Sequence, residues 1–113
     1  MLPKKERLQH RRDFDNAFKS SKGVFTKIVG IKFIANGLEN SKFGIIVSNK
    51  ISKKAVVRNR IKRQIREIIR LNLENIKKGF DIVIIIRIGI VGKKYQEIEK
   101  NILNIFKKIK LLK

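Results

Sequence analysis

Phe80-Asp81-Ile82-Val83-Ile84-Ile85-Ile86-Arg87-Ile88 is an almost unbroken apolar run, interrupted only by Asp81 near its start and Arg87 near its end. Its length suits a strand, and so does its β-branched content. A strand with one wet face alternates apolar and polar residues, whereas this one does not. It is therefore expected in the middle of a sheet, covered on both faces. The flanking segments have the period to provide that cover. Lys53 to about Asn75 reads as a helix: Val57, Ile61, Ile65, Ile68 and Leu71 fall on one face at about 100° per residue. Asn59, Arg60, Lys62, Arg63, Arg66 and Arg70 occupy the opposite arc. Gly79 ends the connection into the strand, and beyond it Tyr95 to Lys110 returns to helical spacing through Ile98, Ile102, Ile105, Phe106 and Ile109.

Toward the N-terminus, residues 1–12 read as a basic, irregular arm. Asp13 is placed to cap a short helix ending near Lys19, because its carboxylate can accept the free amides of a first turn. Gly23 breaks the chain. Val24 to Ala35 is rich in β-branched and aromatic residues and should contain strand, turned at its end by Asn36-Gly37. Phe43-Gly44-Ile45-Ile46-Val47 is a second strand run, expected to pair with the first as a hairpin. The order α-β-β(-β)-α-β-α describes an α+β sandwich of one sheet and its helices. With 113 residues, no repeat, no linker and Pro3 as the only proline, residues 1–113 read as one domain.

Composition narrows the function. Against 29 Lys and Arg stand 9 Asp and Glu, a formal charge of +20. Such self-repulsion opposes compaction unless a polyanion relieves it. Nucleic acid, an anionic membrane surface or an acidic protein could do so. Lys-, Ile- and Asn-rich usage can inflate lysine, but it does not favour the Arg clustered between Arg58 and Arg70. The longest apolar stretch, Ile82 to Ile86, is far short of the roughly 20 residues of a spanning helix. Met1-Leu2-Pro3-Lys4-Lys5 leads into charge rather than an apolar signal region, and there is no cysteine for a disulfide framework. A cytoplasmic protein without membrane association is expected.

Catalytic chemistry finds little to work with. The single histidine, His10, lies in the basic arm, where a phosphate contact or a solvated side chain suits it better than general-base work. Metal-dependent nucleases gather carboxylates around divalent ions. Here Glu6, Asp13, Asp15, Glu39, Glu67, Glu74, Asp81, Glu97 and Glu99 are scattered, and no glycine-rich phosphate loop occurs. No catalytic residue and no metal ligand is therefore assigned.

The basic helix is more informative. Lys50 to Arg70 holds nine basic residues and one acid, Glu67. Spacings of three and four put Asn59, Arg63, Arg66 and Arg70 in one stripe. An ordinary solvated face mixes both signs in i,i+4 pairs, which this face does not. Arg forks suit phosphates, and Asn59 can pair with a base edge or a 2′-hydroxyl. Phe14 and Phe18, four apart, share one face of the short first helix. They either anchor that helix to the sheet or present stacking surfaces to unpaired bases.

The stretch Ala55-Val56-Val57-Arg58-Asn59-Arg60-Ile61-Lys62-Arg63-Gln64-Ile65-Arg66-Glu67 resembles the signature of the bacterial ribonuclease P protein family. Arg7-Leu8 with Asp13-Phe14 and Phe18, then Gly44-Ile45-Ile46-Val47-Ser48 with Lys50, then Asp81 through Arg87, resemble the family pattern in order. The resemblance implies an αβββαβα sandwich with a left-handed βαβ crossover, a fold shared with the second domain of a ribosomal protein. General topology rules favour the opposite hand. It implies a subunit of a ribonucleoprotein endonuclease that removes the 5′ leader from precursor tRNA. In that assembly the RNA and its bound magnesium perform the hydrolysis, and the protein alone binds no cofactor. By residue, the resemblance implies catalytic-RNA contacts at Arg58, Asn59, Arg60, Arg63 and Arg87. It implies leader contacts at Phe14, Phe18, Ser48, Lys50, Lys62 and Arg66.

Three departures concern the leader contacts. Asn49 stands where lysine is common. Ile51-Ser52-Lys53-Lys54 is about one residue longer than the common loop and lacks its glycine. Lys32 stands near a position where some relatives have a cleft aromatic, with Phe33 adjacent. A small ribosomal protein or a DNA-binding nucleoid protein would also explain the charge, but neither explains the ordered matches from Arg7 to Arg87. The missing acid cluster argues against a self-sufficient nuclease.

Overall fold

The computed structural model describes residues 6–8, 11–19 and 22–113, apart from the side chains of Arg11 and Phe18. His10, most of the expected basic arm and the Phe18 side chain lie outside the described residues. The chain runs α1 (Arg11–Lys19), β1 (Gly23–Phe25), β2 (Val29–Ala35), β3 (Lys42–Ile46), α2 (Ala55–Asn72), β4 (Phe80–Ile86) and α3 (Tyr95–Lys108). Short 3₁₀ turns follow α2 at Leu73–Asn75 and β4 at Ile88–Ile90.

The sheet order is β1-β2-β4-β3, with β4 antiparallel to β2 and parallel to β3. The expected hairpin between the two N-terminal strand runs does not form: β4 lies between them. A β2–β3 hairpin would leave the doubly apolar β4 at an edge, with backbone donors and acceptors unpaired. Between its neighbours, β4 buries Asp81, Ile82, Val83, Ile84 and Ile86. The Asn36 turn serves this arrangement, because Asn36 N–H donates to Gly79 O (2.8 Å) and its side chain to Asp81 Oδ1 (2.9 Å). The Val24–Ala35 run itself forms an antiparallel pair, turned at Thr26, whose hydroxyl accepts from the Ile28 and Val29 amides at 3.2 Å. Gly23 opens β1 instead of breaking the chain. Asp13 is not the cap: α1 starts at Arg11, which puts the carboxylate inside the first turn, where it faces the positive end of the helix dipole.

Two cores flank the sheet. On one face, Ile65, Ile68 and Ile69 of α2 and Ile98, Ile102, Ile105 and Phe106 of α3 pack against Val29, Ile31, Phe43, Ile82, Ile84 and Ile86. Leu71 departs from expectation, being 56% exposed while Ile69 is buried. It lies about 100° from the centre of the face that Val57, Ile61, Ile65, Ile68 and Ile69 define. On the other face α1 is the one helix among the described residues, with Leu8, Ala17 and Val83 buried and Phe14, Ile46 and Ile85 partly buried.

Candidate RNA interface

Side chains alternate across a strand, so the register sorts the α1 face into rows. Lys42, Asp81 and Ile34 form one row; Gly44, Val83, Lys32 and Gly23 the next; Ile46, Ile85, Gly30 and Phe25 the third. α1 lies over the middle row. Ala17 is fully buried against Val83, and the Phe14 ring covers Gly44 so closely that a Cβ there would lie 2.2 Å from Phe14 Cε1. The third row keeps Ile46 and Ile85 half-buried and Phe25 exposed.

At the β3 edge a cleft of about 390 Å³ opens between α1 and the flank of α2. Phe14, Gly44, Lys62, Arg66 and Arg7 line it. The 6–8 segment lies alongside β3, with Leu8 N–H donating to Phe43 O at 2.9 Å and Arg7 paired in parallel with Phe43. Arg7 Nε is buried and has no hydrogen-bond partner among the described residues. An aromatic ring thus shares one cavity with cations from two segments, a set suited to bases and phosphates together. Of the residues expected to hold the leader, the cleft gathers Phe14, Lys62 and Arg66.

Ser48 and Lys50 stand apart from that cavity, in the exposed loop leading to α2. Ser48 turns the loop: its Oγ accepts from Lys50 N–H at 3.3 Å and its carbonyl from Ile51 N–H at 3.1 Å. The loop is further fastened by Ser52, whose Oγ accepts from Lys54 N–H and whose carbonyl accepts from Arg58 Nη1 at 2.9 Å. Arg58 therefore positions the loop as well as the N-terminal turn of α2. Asn59, Arg60 and Arg63 face outward and are exposed. Arg70, in the same stripe, donates through both Nε and Nη2 to the Glu67 carboxylate. That hydrogen bond holds the Glu67 carboxyl below the usual carboxylate range and raises Arg70.

Arg87 does not join the α2 stripe. Its guanidinium sits 5.7 Å from the ring centre of Phe25, on the α1 face, and Nη1 donates to Thr26 O at 2.9 Å. Lys32 occupies the middle row of that face, whereas Phe33, one residue on, packs into the opposite core edge-on to Phe80 at 6.1 Å. Phe33 does not replace a cleft aromatic. Arg7 and Gly44 were not expected as cleft residues. A lone glycine inside a β-branched strand run was the available signal for Gly44, since it marks close approach of another group. Among the described residues there is no group of three or more His, Cys, Asp or Glu that could hold a metal ion. No helix among them is long and apolar enough to cross a membrane.

The profile of the family described as "Ribonuclease P" matches residues 2–110. The chain belongs to the ribonuclease P protein family. It is 39% identical over 108 residues to the ribonuclease P protein component of Syntrophomonas wolfei, covering 96% of this chain and 90% of that one. The Thermotoga maritima component is 39% identical over 111 residues, covering 94% and 93%. Among solved structures, the ribonuclease P protein of Thermotoga maritima superposes with a TM-score of 0.81 at 38% identity, over 91% of this chain and 96% of that one. The Staphylococcus aureus protein does so with 0.86 at 27% identity, over 96% and 98%. Membership makes the chain a protein component of an endoribonuclease, and it accounts for the shared mixed sheet and helices.

Proposed function

We propose that the chain acts in the cytoplasm as the RNA-binding subunit of ribonuclease P, gripping the catalytic RNA with one surface and the 5′ leader of precursor tRNA with another. The observation that carries this reading is the cleft at the β3 edge, where Phe14 faces Lys62, Arg66 and Arg7 over Gly44. Unpaired nucleotides present both a π-face and a phosphate, and the cleft offers a ring and cations within one cavity. The exposed arc of α2, with Asn59, Arg60 and Arg63, takes the catalytic RNA, and Arg58 steadies its leading turn. Ser48 and Lys50 extend the leader path along the loop before α2. The scattered carboxylates of the sequence support a binder's role, with hydrolysis and magnesium left to the RNA.

The test is reconstitution. The purified chain should leave precursor tRNA intact with or without magnesium. Adding the catalytic RNA should give cleavage at the mature 5′ end, under low-magnesium conditions where the RNA alone is poor. Robust cutting by nuclease-free protein alone would sink the non-catalytic assignment.

A further inference from the structure

The third row of the α1 face ends on β1 in a feature that the cleft at the β3 edge does not use. Phe25 is 48% exposed, although rings of this kind are usually buried. One side of it rests on the backbone of Gly30, where a Cβ would lie 2.2 Å from Cδ2 and 2.3 Å from Cε2. Over the ring stands the Arg87 guanidinium, fixed by its hydrogen bond to Thr26 O. Thr26 is fixed in turn, its hydroxyl lying 3.1 Å from Val29 O and 3.0 Å from Asn101 Oδ1. An exposed arginine ordinarily keeps its rotamer freedom, and an exposed ring ordinarily finds cover. Here both are held in place at the surface. Cover for Gly30 accounts for the buried side of the ring, but not for its exposed part or for the anchored cation.

We propose that Phe25 and Arg87 form a second stacking station for an unpaired leader nucleotide, with the base against the ring and guanidinium and the phosphate on Arg87. The proposal rests on the leader-binding reading above. Ile46, Ile85, Gly30 and Phe25 are successive register partners, so one row without a charged side chain crosses all four strands. At about 4.8 Å per strand, β1 lies roughly 14 Å from β3. A leader entering at the β3 edge, beside Lys62 and Arg66, reaches β1 only after crossing this row. Phe25 takes nucleotides farther from the cleavage site than Phe14 does. Because every base has a π-face, the station selects for single-strandedness and tolerates any sequence.

The experiment uses the reconstituted holoenzyme and measures equilibrium affinity for mature tRNA and for precursors with progressively longer leaders. Phe25→Leu keeps apolar cover on Gly30 but removes the aromatic plane. It should lose about fivefold or more in affinity for long-leader precursors, the low end of one lost base stack. Short-leader precursor and mature tRNA should bind as with wild type, and Phe25→Tyr should retain the long-leader affinity. Gly30→Ala keeps the ring but displaces it, and should reproduce the Phe25→Leu pattern. If Phe25→Leu binds long leaders like wild type while Phe14→Leu does not, the second station is overturned and the first cleft stands. Equal losses for mature tRNA, or weaker binding of the catalytic RNA, also overturn it, because the pair then serves another surface. If the wild-type complex gains nothing from any leader, the leader reading fails and the station fails with it.

Discussion

Gly44 and Phe14 act as one unit, because the ring occupies the space a side chain at Gly44 would need. Gly44→Ala puts a methyl 2.2 Å from Phe14 Cε1, so α1 or its ring must shift. Overpacking of this kind typically costs ~1–3 kcal/mol. The melting temperature should fall, and precursor tRNA should be bound more weakly by the complex, while affinity for the catalytic RNA stays near wild type. Unchanged melting and leader affinity would show that the ring moves freely. Phe14→Leu separates the two roles that its spacing with Phe18 left open. Phe14 is half-buried beside Leu8, Ala17 and Val83, and leucine preserves most of that packing. Its loss should therefore appear as ~1–3 kcal/mol of precursor affinity. Mature tRNA should be bound about equally by wild type and variant. Equal losses on both RNAs, with a lowered melting temperature, would return Phe14 to the core.

On α2, Glu67 is the only acid among the basic residues from Lys50 to Arg70, and it engages Arg70. The pair is solvent-exposed on both sides, so its contribution to stability is small. The Glu67 pKa is lowered in the fold, so that contribution is present above the ordinary carboxylate pKa and is lost only as pH falls through the lowered value. Mild acid therefore leaves Arg70 paired. Glu67→Gln should leave thermal stability nearly unchanged, tighten binding of the catalytic RNA and steepen its salt dependence by up to about one phosphate contact. A variant with wild-type affinity and slope would place Arg70 outside the RNA surface. The helix itself was legible in the sequence, because periodicity is a local property. β4 was legible for a related reason, since an apolar run without alternation requires cover on both faces. Strand pairing was not, because Phe43–Val47 alone does not show whether its neighbour is the strand just before it or one reached through α2. For the candidate site, helical spacing placed Lys62 and Arg66 on the polar arc of α2 and Phe14 on the first helix, while their grouping at a leader cleft came from the family resemblance. Their meeting with Arg7 over Gly44 depends on register across three segments, as does the meeting of Phe25 with Arg87. The exposed Leu71 shows the same limit at a helix edge, where a few tens of degrees decide burial.

The formal charge of +20 on 113 residues is a property of the whole molecule, and it acts on folding and binding in opposite senses. Self-repulsion raises the free energy of the compact state, so anions that bind it should stabilise it before any RNA is present. Sulfate should raise the melting temperature more than chloride at equal ionic strength, as scanning calorimetry can show. The same ions displace phosphates, so affinity for the catalytic RNA should fall steeply in either salt. A plot of log affinity against log salt has a slope set by the number of phosphates neutralised, at about −0.7 to −0.9 each. Arg60→Ala and Arg63→Ala remove exposed side chains from the arc opposite the buried Ile65, Ile68 and Ile69. Each should leave the circular dichroism spectrum nearly intact, weaken RNA binding and flatten the slope by about one contact. Lys108, exposed at the end of α3, carries the same charge outside the proposed interface. Lys108→Ala should therefore lower the net charge by the same amount with a much smaller effect on affinity and slope. If Lys108→Ala matched the two arginine variants, general attraction to a basic protein would account for binding, and the α2 surface would lose its special status. If the arginine variants alone flatten the slope, the contacts lie where α2 places them.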